Sequence, residues 1–276
     1  MNALVILIGE SFRSGSTKSR TVGLNKSYES QKDATNSHIR LFKFLKKKYN
    51  VNFDTIINTS PTKFDNELID WYSVDTNVLS VKTDKYRAMP ARHTYVRENQ
   101  IPDLTEYDFV LILRPDVYIK QKFLETFDPT SKKILFPFIV RWFNLDENYR
   151  RNPDSMKILQ IKNEINGKTI KEKYLESMNS EYYPIVCDSI SFVPRNFFSV
   201  LGVGEYYKQV HQSFYLSPLI GLKLLTEFNI SSDSIGFLTN TFYFNDTERG
   251  KNPLYKLIGR DEAKTSGITW KLKNNA

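Results

Sequence analysis

Arg114, Pro115 and Asp116 stand together where the apolar run of "YDFVLILRPDVYIK" comes to its end. A strand that merely turns has no need of a guanidinium and a carboxylate joined by a proline, whose ring stiffens the backbone. A carboxylate at such a tip can anchor a divalent cation that bridges two phosphates and keeps water at its other positions. An arginine beside it can instead neutralise phosphate directly. The plainer alternative is a structural Arg–Asp pair that ties down the strand end. A second constellation, "GESFRSGST", follows the first apolar run. It is not a P-loop, because five residues separate Gly9 from Gly15 and Ser16 stands where that motif requires Lys. Its backbone N–H groups and the Arg13 guanidinium can still approach a phosphate closely. Gly9, Glu10, Ser11 and Arg13 are therefore candidate cofactor-binding residues, and Arg87 joins them.

Asp188 lies in "IVCDSISFVPR", an apolar setting in which a carboxylate is expensive unless it is bonded or in use. It is read as a candidate general base, beside the alternative that it organises a loop through backbone hydrogen bonds. His211, in "YYKQVHQSFYLSP", is a candidate metal ligand, beside the alternative of a packing residue. With His38 and His93 it is too scattered to form a zinc motif. No nucleophile elbow, zincin helix or kinase signature is present.

These residues need a framework, and the order of patterns supplies one. "ALVILI", "VNFDTIIN", "TNVLSV", "DFVLILR" and "KKILFPF" read as strands. Between them "SHIRLFKFLKKKY", "FDNELIDWY", "PARHTYVREN" and "QKFLETF" read as helices. Such alternation predicts an α/β fold, a mostly parallel central sheet covered on both faces. Ligands bind such sheets beyond the carboxyl ends of the strands, where both constellations fall. Further on, a polar passage from Asn144 to Ser180 precedes "PIVCDSISFVPRNFFSVLG", read as a strand with Asp188 in its interior. "SPLIGLKLLTEFNI" reads as an amphipathic helix and "IGFLTNTFYF" as a late strand. No repeat or linker divides the chain, so a single domain over 1–276 is expected.

Composition narrows the partners. The 276 residues are 40% hydrophobic, enough for one substantial core. No run of about 20 apolar residues exists to span a membrane. The N-terminal run has no basic leader and reads as a strand rather than a signal peptide. Cys187 is alone, which fits a reducing compartment, and a cytoplasmic location is expected. The net charge of +8 suits an anionic small molecule and, less well, nucleic acid. The densest basic run, "KFLKKKY", ends a helix where the macrodipole favours cations.

Taken together, the chain resembles GT-A-fold glycosyltransferases. "YDFVLILRPDVYI" resembles a strand–R-x-D variant of their DxD region, as in proteins of bacterial surface-polysaccharide loci and large algal or amoebal viruses. "CDSISFVPRNFFSVL" is similar to their acceptor-side segment, and "FNDTERGKNPLYKLIGR" to their closing segment. The resemblance implies transfer of a sugar from a nucleotide-diphosphate donor to an acceptor hydroxyl on a glycan, with Mn²⁺ or Mg²⁺. It implies a donor half over 1–140 and an acceptor half over 141–276. Asp116 would hold the metal or the donor ribose, Arg114 would sit beside the diphosphate, Gly9 to Arg13 would line the nucleotide, and Asp188 would face the acceptor in an inverting reaction. Arg114 stands where a full DxD has its first acid, so the metal is expected to enhance activity without being required. The competing readings are a catalytically silent binding protein on the same fold, a nucleotidyltransferase and a nucleic-acid-binding module.

Overall fold

The computed structural model describes residues 1–15, 21–83, 89–144, 182–187, 189–201, 230–239 and 252–259. Strand β1 (Asn2–Ile8) is buried at every residue after Asn2. A strand covered on both faces reads as unbroken apolar sequence, which is why it shows no alternation. The short strands β2 (Arg13–Ser14) and β3 (Thr21–Val22) follow, then α1 (Tyr28–Tyr49) and β4 (Asn52–Thr59). Next come α2 (Asp65–Ser73), β5 (Asn77–Thr83), α3 (Met89–Asn99) and the fully buried β6 (Phe109–Leu113). After β7 (Val117–Ile119) come α4 (Gln121–Thr126), β8 (Ile134–Phe136) and β9 (Ile139–Asn144). The later described strands are β10 (Tyr182–Val186), β11 (Ile190–Pro194), β12 (Ile235–Phe237) and β13 (Tyr255–Leu257).

The central sheet has seven strands in the order β12-β8-β11-β6-β1-β4-β5. β1 pairs in parallel with both β4 and β6, β4 with β5, and β8 with β12. Only β11 runs against its neighbours, β6 and β8. The α/β class with a mostly parallel sheet flanked by helices is therefore the one observed. Separate antiparallel pairs join β9 to β10, β7 to β13 and β2 to β3. The core lies between the sheet and its helices, with Leu41, Phe42 and Leu45 of α1 packed among the residues of β1, β4 and β6.

Two expectations need correction. Helix α1 starts at Tyr28, well before the "SHIRLFKFLKKKY" pattern. Its early turns bury Gln31, Thr35, Ser37 and His38, and hydrogen bonds rather than apolar contact hold that face down. The basic end behaves as expected: Asn50 adopts the left-handed conformation and its N–H bonds the Lys46 carbonyl at 3.0 Å. The segment around Asp188 is not one strand. β10 pairs with β9 and β11 with the central sheet, so the chain changes sheets between Val186 and Ile190.

His38 shows what a buried polar face requires. Its Nε2–H donates to the Val117 carbonyl at 2.7 Å, so Nδ1 accepts from the Tyr72 hydroxyl at 2.6 Å. Burial pushes the imidazole down to about 4, against the upward pull of the Val117 carbonyl and the Asp116 charge. The unfolded chain takes up this proton near pH 6.5 and the folded chain only near 4, so stability falls as the pH drops through that window. Between pH 7.5 and 5 the loss from this residue is expected to be about 2 kcal/mol. Urea unfolding of wild type and His38→Gln at both pH values measures it. The variant should lack that component, and an equal pH dependence in both proteins would remove His38 as its source.

Candidate functional site

From β1 the sheet grows outward through β4 to β5, and the chain then returns to lay β6 on the other side of β1. Strand order reverses between β1 and β6, and the crevice in which open α/β sheets bind ligands lies at the carboxyl ends of the strands at such a switch point. The segments leaving these two strands are Gly9 to Ser14 and Arg114 to Asp116. They approach closely: Gly9 has φ +141°, and a Cβ there would come within 3.2 Å of Pro115 Cδ.

Each side of the crevice is fixed by hydrogen bonds. The Gly9 N–H donates to the Asn58 carbonyl at the end of β4, at 3.1 Å. Ser11 meets Thr59 Oγ1 twice, through its N–H at 2.8 Å and its hydroxyl at 2.6 Å. Phe12 has φ +48°, a left-handed conformation that costs a non-glycine residue about 1–3 kcal/mol. Its ring is wholly buried and packs on Phe64 at 5.0 Å, Trp71 at 6.0 Å and Tyr28 at 6.1 Å between centroids, which holds the backbone there. Gln31, from α1, spans the two loops. Its Oε1 accepts the Phe12 N–H at 2.8 Å and its Nε2 donates to the Pro115 carbonyl at 2.9 Å. From the far end of the chain, the Ile258 N–H donates to the Asp116 carbonyl at 2.9 Å. Gly259 beside it lies so close that a Cβ would fall 1.8 Å from the Arg13 carbonyl oxygen.

These constraints bring Arg13, Arg114 and Asp116 together. Arg114 grips Asp116 with two parallel bonds, Nε to Oδ1 at 2.9 Å and Nη2 to Oδ2 at 2.8 Å. Arg13 Nη1 lies 3.8 Å from the same Oδ2 and 4.0 Å from Glu10 Oε2. Asp116 is 1% exposed, Arg13 6% and Arg114 18%, so the carboxylate lies deepest and Arg114 nearest to solvent. The Arg114 N–H also holds the Ser189 carbonyl ahead of β11 at 3.2 Å. Arg87, Asp188 and His211 lie outside the described residues.

Three contributors were not found by sequence reasoning. Arg92 of α3 is 1% exposed and bonds Asn58 Oδ1 at 3.3 Å and Ser60 Oγ at 2.6 Å, which puts another guanidinium at the end of β4. Its place early in a helix that follows a strand was the available signal. Gln31 and Gly259 gave none, because one lies in a polar stretch and the other acts only through its backbone. As for a divalent cation, no group of three or more His, Cys, Asp or Glu among the described residues could hold one. Both Asp116 oxygens accept bonds from Arg114 as placed. A cavity of about 410 Å³ lies between the first turns of α1 and α2, lined by Asn25, Tyr28, Glu29, Phe64 and Glu67. Its two glutamates offset the helix dipoles and would repel a phosphate.

No protein-family model matches the chain, and no curated protein matches it. Among solved structures it is similar to S. aureus TarS 1–349, with 15% identity over 51% of this chain and 36% of that one and a TM-score of 0.30. It is similar to the mannosyltransferase Ktr4p from S. cerevisiae, with 13% identity over 80% and 61% and a TM-score of 0.35. It is also similar to core-mannan synthase A from Aspergillus fumigatus in its Mn/GDP form, with 12% identity over 86% and 72% and a TM-score of 0.36. The chain thus spans about a third of the first of these and three fifths of the second.

The Gln31 bridge yields a direct expectation. In Gln31→Leu the buried Phe12 N–H and Pro115 carbonyl both lose a partner, at about 1–3 kcal/mol each. Urea unfolding should therefore show a loss of about 2–6 kcal/mol. A loss under 1 kcal/mol would mean that the two loops are held together by something else.

Proposed function

We propose that this chain transfers a sugar from a nucleotide-diphosphate donor to an acceptor hydroxyl of a glycan or glycoconjugate, within one domain whose donor half is 1–140 and acceptor half 141–276. The observation that carries this reading is the meeting of the arginines of two separate loops, Arg13 and Arg114, on Asp116 beyond the neighbouring strands β1 and β6. Guanidinium groups match phosphate oxygens in geometry as well as charge. The mostly parallel sheet and the motifs that resemble GT-A glycosyltransferases support the same reading.

In the proposed reaction the acceptor oxygen attacks the anomeric carbon, and the bond from that carbon to the diphosphate oxygen breaks. The leaving diphosphate keeps the electron pair, and the acceptor proton passes to a carboxylate. Asp188 is the proposed base, which makes the transfer inverting. Gly9, Glu10, Ser11, Arg13 and Arg87 are proposed to surround the nucleotide. Mn²⁺ or Mg²⁺, where bound, would supply positive charge to the leaving group, and the residues proposed for it are Asp116 and His211. A second reading, a catalytically silent binder on the same fold, draws support from the engagement of Asp116 and Arg114 with each other. No described helix is long and apolar enough to cross a membrane.

Thermal shift across a panel of nucleotide sugars tests the proposal, since a ligand that binds the folded state raises Tm by mass action. One donor should stand out and should be hydrolysed or transferred slowly in its presence. Asp188→Asn should keep that shift and lose transfer by about 100-fold or more. Absence of a shift with every donor would contradict glycosyl transfer. A shift without turnover in wild type would favour the silent binder.

A further inference from the structure

We infer that Arg114 is itself the ligand for the donor diphosphate and that Asp116 is a positioning residue behind it, so that diphosphate binding needs no divalent cation. The inference rests on the functional reading above and departs from the metal role proposed for Asp116.

The three carbonyls from Arg114 to Asp116 and the Arg114 N–H are all tied. The Arg114 N–H is held by Ser189, and the Arg114 carbonyl accepts the Val117 N–H at 3.2 Å. The Pro115 carbonyl is held by Gln31, and the Asp116 carbonyl by the Ile258 N–H. The Pro115 ring fixes its own φ between the two charged residues. The carboxylate is thereby aimed at Arg114, and at 1% exposure it does not reach the crevice surface. A cation bound at Asp116 would have to share oxygens already held by Arg114, against the positive charge of Arg114 and Arg13, or draw the carboxylate outward against these restraints.

The guanidinium is placed the opposite way. Asp116 takes the Nε and Nη2 side of the fork, which sets the plane of the group. Arg114 is the most exposed of the three at 18%, so it is the edge of this cluster that a ligand meets first. Arg13, 3.8 Å from Asp116 Oδ2, adds a second guanidinium behind it. A planar donor oriented by a buried carboxylate suits a tetrahedral oxyanion, and fixed positive groups can stabilise a leaving diphosphate as a metal otherwise would. The same carboxylate that disqualifies Asp116 as a cation ligand thus prepares Arg114 as an anion ligand.

Calorimetric titration of the full chain with inorganic pyrophosphate, in EDTA and in Mg²⁺, tests this without knowledge of the sugar or base. Wild type should bind in EDTA within threefold of its affinity in Mg²⁺. Arg114→Lys, which keeps the charge and loses the fork, should weaken binding at least tenfold. Asp116→Asn should weaken it two- to fivefold and leave the insensitivity to Mg²⁺ intact, a readout that mere loss of structure would not preserve. The inference is overturned if Mg²⁺ tightens wild-type binding tenfold or more, a comparison that needs no variant to fold. It is likewise overturned if pyrophosphate binds under neither condition. Arginine-dependent, Mg²⁺-insensitive binding without any shift by a nucleotide sugar would uphold this assignment and sink glycosyl transfer. Mg²⁺-dependent binding with a clear donor shift would do the reverse.

Discussion

A carboxylate that is 1% exposed cannot stay ionised in a protein interior without close partners, and Asp116 sets that demand at the tip of the central strand. Arg114 meets it through two short bonds, and Arg13 approaches from another loop. Because the two arginines come from segments about a hundred residues apart in sequence, the pair is formed only when β1 and β6 lie side by side. The crevice and the charge cluster are thus consequences of one sheet register. Removing one partner of such a buried pair is expected to cost about 3–5 kcal/mol, because it leaves an uncompensated charge.

Helix α1 carries the rest of the organisation. Along its buried side Gln31 joins the two crevice loops, the Ser37 hydroxyl accepts the Ile119 N–H at 2.8 Å, and His38 holds the Val117 carbonyl. Arg40 reaches the Ile119 carbonyl at 2.7 Å. Strand β7, only three residues long, is thereby pinned on one side by a helix and on the other by β13. The same strand leads directly out of Asp116. Rigidity at the crevice therefore comes from polar bonds made by a helix as well as from the packed ring of Phe12.

This explains which parts of the molecule were legible in the amino-acid order. "ALVILI" and "DFVLILR" announced β1 and β6 because a doubly covered strand must be apolar throughout, and the residues that follow such strands fall at the ligand-binding end of the sheet. The first turns of α1 were illegible because their buried side is Gln31, Ala34, Thr35, Ser37 and His38, in which a single small apolar residue makes no hydrophobic period. Around Asp188 a single apolar run concealed a change of sheet, since strand pairing lies in the backbone and leaves little trace in side chains. The direction of the Asp116 carboxylate was equally hidden. "RPD" permits an inward pair or an outward ligand, and the choice is made by bonds from Gln31, Ser189 and Ile258, all remote in sequence.

The central claim is that a nucleotide diphosphate binds between the ends of β1 and β6 on Arg114. A crystal structure of the chain with Mg²⁺ and the nucleoside diphosphate that stabilises it most tests this directly. The account predicts phosphate oxygens within hydrogen-bond reach of Arg114, against the Gly9 to Arg13 loop, with Asp116 still on the far side of the guanidinium. A nucleotide held instead between Tyr28 and Phe64, or a cation seated between the phosphates and Asp116 with Arg114 turned away, would contradict it.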